Sequence, residues 1–190
     1  MADKHTILRV LIATAAAIAA FSATAAGPSA FRLQSAAVAP NSTLSSAQVY
    51  SGFGCSGGNI SPALKWTGAP RDTKSFAVTL YDPDAPSGSG WWHWVVYNIP
   101  PDVTELPEGA GGPGGKLPPG AIQGHTDFGT SGFGGACPPV GDKPHRYIFS
   151  VYALKIDKIS APEDASAAMI GFMIHANTLA KATLTARYGR

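Results

Sequence analysis

The chain carries few charged residues, and those it has are not gathered into a basic cluster. Of its 190 residues 14% are charged, and the formal net charge is +2. Nucleic-acid binding needs clustered Lys and Arg that neutralise phosphates, so this composition speaks against it. A hydrophobic share of 45% allows a buried core and argues against disorder, and the length is typical of a single domain.

Long hydrophobic runs are also missing. The longest, residues 10–21, is about a dozen residues, whereas a membrane-spanning helix needs roughly 20. Basic residues precede this run and a small-residue Ala-Thr-Ala-Ala stretch follows it, which predicts a secretory signal peptide over residues 1–26. Cleavage after Ala25 or Ala26 leaves a single domain over residues 27–190, which we expect to be periplasmic or secreted. A retained membrane anchor is the alternative.

Several familiar catalytic motifs are absent. Residues 110–117 lack the glycine and the Ser or Thr of a phosphate-binding loop, and residues 129–133 do not form a Gly-x-Ser-x-Gly nucleophile turn. No histidine pair has the tight spacing of a metal-binding helix. The sequence therefore predicts no metal, no cofactor and no evident nucleophile, and it favours a binding protein over an enzyme.

Cysteine is scarce, with Cys55 and Cys137 as the only two. In an exported protein an even number of cysteines permits one disulfide. Spacing alone does not show whether the two Cα atoms come within the required distance of about 7 Å. A disulfide and two buried thiols both remain open at this level.

Strand patterns dominate what is present. Residues 75–81 alternate, with Phe76, Val78 and Leu80 on one face of a predicted strand. Residues 92–99 are continuously apolar, as in a strand that is buried on both faces.

Residues 147–154 form a third strand pattern, residues 165–174 predict one helix, and residues 177–188 fit a helix or a strand. Residues 100–120, rich in Pro and Gly, predict an irregular surface loop. Strands separated by such loops, with one late helix, predict a mainly β fold, an antiparallel β-sandwich with a small C-terminal helical component.

A stiff acidic turn follows the first of these strands. Residues 82–86 read Asp-Pro-Asp-Ala-Pro, and each proline fixes a backbone angle, which holds the carboxylates of Asp82 and Asp84 in place. Local hydrogen bonds make Asp common in turns, so a purely structural turn is the alternative.

His93 lies in an aromatic run of the next strand. A period of two places His93 and Trp91 on one face and Trp92 and Trp94 on the other. A carboxylate such as Asp82 beside the imidazole favours its charged form, which could pair with a phosphate. A hydrogen-bonded core histidine is the alternative.

A second polar group follows a glycine-rich loop. Residues 134–139 read Gly-Gly-Ala-Cys-Pro-Pro, and successive backbone N–H groups in such a loop can hold an anion, although a plain connector is equally compatible. His145 and Tyr147 are two residues apart on a strand and project to one side. Arg146 then points to the opposite side, where a structural role is expected.

These stretches together resemble the phosphatidylethanolamine-binding protein family. The similarity is greatest to its bacterial, Raf kinase inhibitor-like branch. It covers roughly residues 31–190 and rests on residues 59–66, 82–86, 92–98, 127–129 and 134–147. It implies a β-sandwich with a large central sheet and a pocket at one end for phosphate or phosphorylated head groups. Transferred by position, the ligand-binding residues are Asp82, His93, Gly135, Pro138, His145 and Tyr147, with Asp84 and Trp94 as structural support. Because the bacterial branch is often dimeric, the resemblance also allows a homodimer.

Three functions remain in competition. The first is an exported binding protein whose pocket takes a small phosphate-like anion or a phospholipid head group, with both histidines and the Tyr147 phenol donating hydrogen bonds and Asp82 orienting His93. The second is an interaction module, similar to a protease or kinase inhibitor, that docks a protein partner through residues 100–120. The third, a weak hydrolase, uses Asp82 and His93 as a base pair on water.

Overall fold

The computed structural model describes residues 30–190, so the predicted signal peptide over residues 1–26 lies outside the described residues. In this part of the chain no helix is long and apolar enough to cross a membrane. The strands and the α-helix are β1 (Arg32–Gln34), β2 (Ser51–Gly52), β3 (Cys55–Ser56), β4 (Leu64–Thr67), β5 (Ser75–Asp82), β6 (Trp91–Ile99), β7 (Glu105–Leu106), β8 (Ile122–Gln123), β9 (His145–Leu154), α1 (Ala167–Ala176) and β10 (Thr178–Tyr188).

A five-stranded sheet forms the centre of the molecule. Its strand order is β10-β9-β5-β6-β8, and every neighbouring pair is antiparallel. A smaller sheet has the order β1-β4-β7, and β2 pairs with β3 in a short hairpin. The mainly β fold with antiparallel sheets that the sequence predicts is confirmed.

The two sheets pack face to face around one hydrophobic core. Phe76, Val78 and Leu80 of β5 face this core together with Leu64 and Trp66 of the smaller sheet. The predicted face of the first strand is therefore correct. Burying large apolar side chains contributes about 1.5–3 kcal/mol each, which makes this layer the main source of stability.

The helix α1 covers the other face of the large sheet. Ile170 and Ile174 of α1 pack against Val95 and Tyr97 of β6, while Val96 of the same strand faces the inter-sheet core. The prediction that this strand is buried on both faces is thus confirmed.

The last two elements are a helix that begins at an N-cap and an edge strand that follows it. The Ser166 side chain accepts a hydrogen bond from the backbone N–H of Met169 at 3.2 Å, so the helix begins two residues later than predicted. The predicted element over residues 177–188, which fits a helix or a strand by sequence, is the edge strand β10 (Thr178–Tyr188) along β9.

The Pro- and Gly-rich stretch 100–120, predicted as an irregular surface loop, is partly anchored in the core. It contains β7, which pairs with β4, and the side chain of Leu106 is fully buried in the core. The Ser61 carbonyl accepts a hydrogen bond from the N–H of Gly109, and the Ser61 hydroxyl accepts one from Gly111.

Cys55 and Cys137 form a disulfide, with their Cα atoms 6.0 Å apart. The bond joins the β2–β3 hairpin to the glycine-rich loop before β9. The alternative of two buried thiols is therefore wrong.

Candidate functional site

A cavity of about 150 Å³ lies at one end of the large sheet. Because β9, β5 and β6 are antiparallel neighbours, the end of β5 lies beside the starts of the other two strands. This arrangement brings Asp82 and His93 together with His145 and Tyr147, although Asp82 and His145 are 63 residues apart in sequence. The residues that line the cavity are Phe53, Asp82, Ala85, Pro86, Trp91, His93, Phe128, Cys137, Pro138, Pro139, His145 and Tyr147.

Five of the six ligand-binding residues named from the sequence line this cavity, and Gly135 does not. Its N–H donates to the Asn59 side chain at 2.7 Å and its carbonyl faces His93. An added Cβ at this glycine would lie 2.3 Å from the Gln48 carbonyl oxygen, so close backbone packing requires glycine here. Gly135 supports the site from behind.

Three N–H groups of the glycine-rich loop, those of Gly134, Gly135 and Ala136, are already hydrogen-bonded within the protein. The Gly134 N–H donates to the backbone carbonyl of His93, and the Ala136 N–H donates to the carbonyl of Gln48. The N–H of Gly135 is bound by Asn59. These three donors are therefore not available for the predicted backbone anion cradle, because partners distant in sequence already use them.

Asp82 is paired with His145 and not with His93. The Asp82 carboxylate lies 2.7 Å from Nδ1 of His145, and both side chains are almost completely buried. The other carboxylate oxygen accepts a hydrogen bond from the N–H of Asp84 at 2.8 Å. The expectation that Asp82 orients His93 is not met, since both of its oxygens are engaged by these two residues.

His93 is held by the backbone of the glycine-rich loop. Its Nδ1 lies 2.8 Å from the Gly134 carbonyl and 3.1 Å from the Gly135 carbonyl. Carbonyl oxygens only accept, so Nδ1 must carry the proton. Burial lowers the pKa of His93 below its ordinary value, against the smaller opposing effects of those carbonyls and of Asp82. The ring is therefore neutral at neutral pH, and Nε2 is an acceptor.

A β-bulge aims His93 into the cavity. Leu80 pairs with Trp94 and Tyr81 pairs with Trp92, so His93 is an extra residue between two ladder positions. The Asp127 carboxylate holds this bulge by accepting the Trp92 N–H at 2.7 Å.

The bulge also separates the two tryptophans that a strict period of two places together. Trp94 packs in the core between the sheets, whereas Trp92 packs on the helix side. The predicted shared face is therefore wrong. Trp94 is fully buried, and its indole N–H donates to the Gln123 side chain at 2.7 Å.

The hydroxyl of Tyr147 is buried and has no hydrogen-bond partner among the described residues. The backbone N–H of Cys137 approaches the phenol oxygen as a donor, which opposes the effect of burial on the pKa, and the O–H itself has no acceptor in the described part of the chain. Burial, with a smaller contribution from the nearby Asp82 carboxylate, raises the pKa of the phenol well above its ordinary range. The group is therefore a neutral, unsatisfied donor that borders the cavity, and such buried groups are rare in folded proteins.

Asp84 and Arg146 brace the acidic turn from outside. The Asp84 carboxylate accepts hydrogen bonds from the backbone N–H and Nε of Arg146, both at 2.8 Å, and from Nη2 at 2.6 Å. These contacts lower the pKa of Asp84 to about 2. Both side chains are partly exposed, so we expect the pair to contribute no more than about 1 kcal/mol.

Most of the cavity wall was not named from the sequence as ligand-binding. Phe53 and Phe128 come from loops, and their rings stack 5.8 Å apart. Phe128 also contacts His93 edge-on at 5.4 Å. The sequence signal for Phe53 is its position two residues before Cys55, because the disulfide brings this hairpin to Cys137 in the cavity wall.

The lowered pKa of His93 predicts a pH-dependent stability. The unfolded chain binds a proton at the ordinary histidine value of 6.5, whereas the folded chain does so only at lower pH. Stability should therefore decrease as the pH falls from about 6.5 towards the folded-state pKa. His93→Asn keeps a donor at the Nδ1 position and should remove this component. Urea unfolding of both chains across this range measures it, and parallel pH profiles would contradict it.

Within residues 30–190, no group of three or more His, Cys, Asp or Glu side chains is arranged to hold a metal ion.

The fold is an antiparallel β-sandwich with a polar-floored cavity at one end of its large sheet. Residues 34–189 match the family model described as phosphatidylethanolamine-binding protein. This match covers most of the chain, which therefore belongs to the phosphatidylethanolamine-binding protein family.

Known relatives agree with this assignment. The chain is 54% identical over 180 residues to the UPF0098 protein YbcL of Escherichia coli K12, covering 94% of this chain and 97% of that protein. Its fold is similar to the crystal structure of E. coli YbcL, described as a new member of the mammalian PEBP family, with a TM-score of 0.82 and 56% identity over 84% of this chain and 98% of the other. A putative PEBP homologue from Chlamydia trachomatis matches at 31% identity and a TM-score of 0.70, over 85% and 98% of the two chains.

Proposed function

We propose that this protein is an exported binding protein, not an enzyme, whose cavity holds the phosphate-type head of a small molecule or lipid. The observation that carries the proposal is the Tyr147 hydroxyl, a buried donor without a partner that borders the cavity. A ligand oxygen would satisfy it. The disulfide supports export, because such bonds persist in oxidising compartments.

The polar groups of the cavity define what the head must offer. The Tyr147 hydroxyl can donate to a ligand oxygen, and so can Nε2 of His145 when this ring carries both protons, since its Nδ1–H already donates to Asp82. Neutral His93 accepts at Nε2, which has no hydrogen-bond partner among the described residues. A matching head combines oxygen acceptors with one proton to give, as in a P–OH group or an ammonium next to a phosphate. His93 thus accepts a hydrogen bond, whereas the sequence had suggested that it donates one.

The size of the cavity limits the ligand to a head group. Its volume of about 150 Å³ is below the roughly 300–1,000 Å³ of pockets that enclose a whole drug-sized molecule. Phe53 is 66% exposed at the cavity and Val140, next to the lining residue Pro139, is 76% exposed, so apolar surface is present near the opening. Apolar parts of the ligand can lie against this surface.

Tyr147→Phe provides a sharp test, because it removes only the unpaired hydroxyl. Stability should stay equal or rise by up to about 1 kcal/mol, since an unsatisfied buried group is lost. Affinity for O-phosphorylethanolamine or inorganic phosphate should fall about tenfold or more, since a hydrogen bond to a charged ligand is lost. Calorimetric titration and urea unfolding measure the two effects.

Tyr97→Phe is the matched control, because Tyr97 lies in the core on the helix side of the same sheet. It should leave ligand affinity unchanged. Equal affinity of the Tyr147→Phe and unmodified chains would refute the role of the hydroxyl, and no binding by the unmodified chain would refute the proposal.

The geometry adds nothing to the other two functions. The hydrolase hypothesis needs Asp82 and His93 as a pair, but the Asp82 carboxylate is hydrogen-bonded to His145. The interaction hypothesis needs residues 100–120 as an accessible loop, but this segment is attached to the core through Leu106.

A further inference from the structure

A second carboxylate reaches His145 from the surface. Oδ2 of Asp142 lies 3.4 Å from Nε2 of His145, while Asp82 lies 2.7 Å from Nδ1 of the same ring. The His145 side chain is 5% exposed and that of Asp142 is 42% exposed. One buried imidazole is therefore placed between a buried carboxylate and a solvent-accessible one.

His145 forms a partition between the cavity and an outer surface groove. It lines both, and the groove is bordered by the charged residues Asp84, Asp142, Lys143, Arg146 and Arg187. Arg146 is already paired with Asp84. Among the described residues that line the cavity itself, none is Lys or Arg, and Asp82 is the only carboxylate.

One buried polar group in the cavity nevertheless indicates ligand binding. The buried Tyr147 hydroxyl has no partner and lines the same space as His145. A head group that meets this hydroxyl and the His145 ring lies close to the carboxylates on both sides of that ring.

We propose that Asp142 is a specificity-determining residue, which makes the cavity select singly charged head groups over doubly charged ones. This inference rests on the proposed function and names the charge class of its ligand. Asp142 contacts the ring nitrogen that a ligand oxygen would use, and its charge repels an anion in the cavity. Repulsion scales with ligand charge, so a dianion is penalised twice as strongly as a monoanion of the same shape.

Inorganic phosphate and sulfate form a matched pair of probes. Both are tetrahedral and similar in size, but in mildly acidic buffer phosphate is mostly dihydrogen phosphate with one negative charge, whereas sulfate keeps two. The two anions also differ in one hydrogen-bond donor, the P–OH of dihydrogen phosphate, so the charge effect is measured by the change of their ratio in the Asp142 variant. Calorimetric titration of the unmodified protein should give at least about tenfold tighter binding of phosphate than of sulfate.

Asp142→Asn keeps the size of the side chain and removes its charge. Sulfate affinity should increase about tenfold and phosphate affinity by less, so the ratio between the two should shrink. Asp102→Asn is the control, because it removes the same charge from the exposed segment beyond the far end of β6. It should leave the ratio unchanged.

The outcomes separate this inference from the proposed function. Binding of phosphate with an unchanged ratio in Asp142→Asn would overturn the role of Asp142 and leave the proposed function standing. A shift of the same size in Asp102→Asn would also overturn it, since net charge would then be the cause. Failure of the unmodified protein to bind either anion overturns both.

Discussion

Replacing both cysteines with serine is expected to lower the free energy of unfolding by about 3 kcal/mol. Cys55 and Cys137 are 82 residues apart in sequence, so their bond closes a long loop in the unfolded chain. Chain-entropy arguments give up to ~4.5 kcal/mol for such a loop, and measured values are typically about 2–4 kcal/mol. Urea unfolding of the two chains measures the difference.

The unmodified protein in reductant is the control for this variant. It should unfold at the same urea concentration as the double serine variant, because reduction removes the same covalent bond. The bond also joins Cys137, a residue of the cavity wall, to the hairpin that carries Phe53. Breaking it should therefore lower ligand affinity as well as stability. A double variant within about 0.5 kcal/mol of the oxidised protein would show that other contacts hold this loop.

Asp82→Ala is expected to have an effect of similar size by a different route. The carboxylate is 2% exposed, and its loss leaves the buried His145 ring and the N–H of Asp84 without their acceptor. Removing one partner of a buried pair typically costs about 3–5 kcal/mol. Thermal or urea unfolding at neutral pH measures the loss.

Two further substitutions distinguish the stability loss caused by a missing buried acceptor from that caused by a missing charge. Asp82→Asn keeps an acceptor oxygen and should cost less than Asp82→Ala. Asp84→Asn removes a carboxylate two residues away that is partly exposed and paired with Arg146, so it should cost at most about 1 kcal/mol. Similar losses for Asp82→Ala and Asp84→Asn would contradict the assignment of Asp82 as the buried anchor of the site.

The strands were predictable because each is a local pattern. Residues 75–81 alternate and residues 92–99 are continuously apolar, and both become neighbouring strands of the large sheet. The end of the first strand and the start of the second meet in an antiparallel pair, which accounts for how Asp82 and His93 reach one cavity. The spacing of the apolar residues and the residues of the turns are sufficient to predict these two strands.

The bulge at His93 was not predictable from strand periodicity. Which residue leaves the ladder depends on Asp127, which accepts the Trp92 N–H from 35 positions away in the sequence. The partner of Asp82 was missed for a similar reason. His145 and His93 both lie near it, and only the arrangement of the strands shows that His145 forms the hydrogen bond.

The composition of the glycine-rich loop does not by itself determine whether the loop binds an anion. Its composition fits an anion-binding turn, but whether its N–H groups are free depends on Asn59 and Gln48, which lie outside the motif. The disulfide was equally undetermined, because spacing does not encode the 6.0 Å separation of the two Cα atoms. Contacts between distant residues decided each of these points.

An NMR titration of the histidine rings with inorganic phosphate and O-phosphorylethanolamine shows directly whether the cavity holds a phosphate-type head group. Free His93 at neutral pH should be neutral with its proton on Nδ1, and its Nε2 signal and the His145 ring signals should shift saturably with ligand. Tyr147→Phe should weaken both shifts together. A His93 ring protonated on Nε2 in the free protein, or no shift of either ring in the millimolar range, would contradict the proposed site.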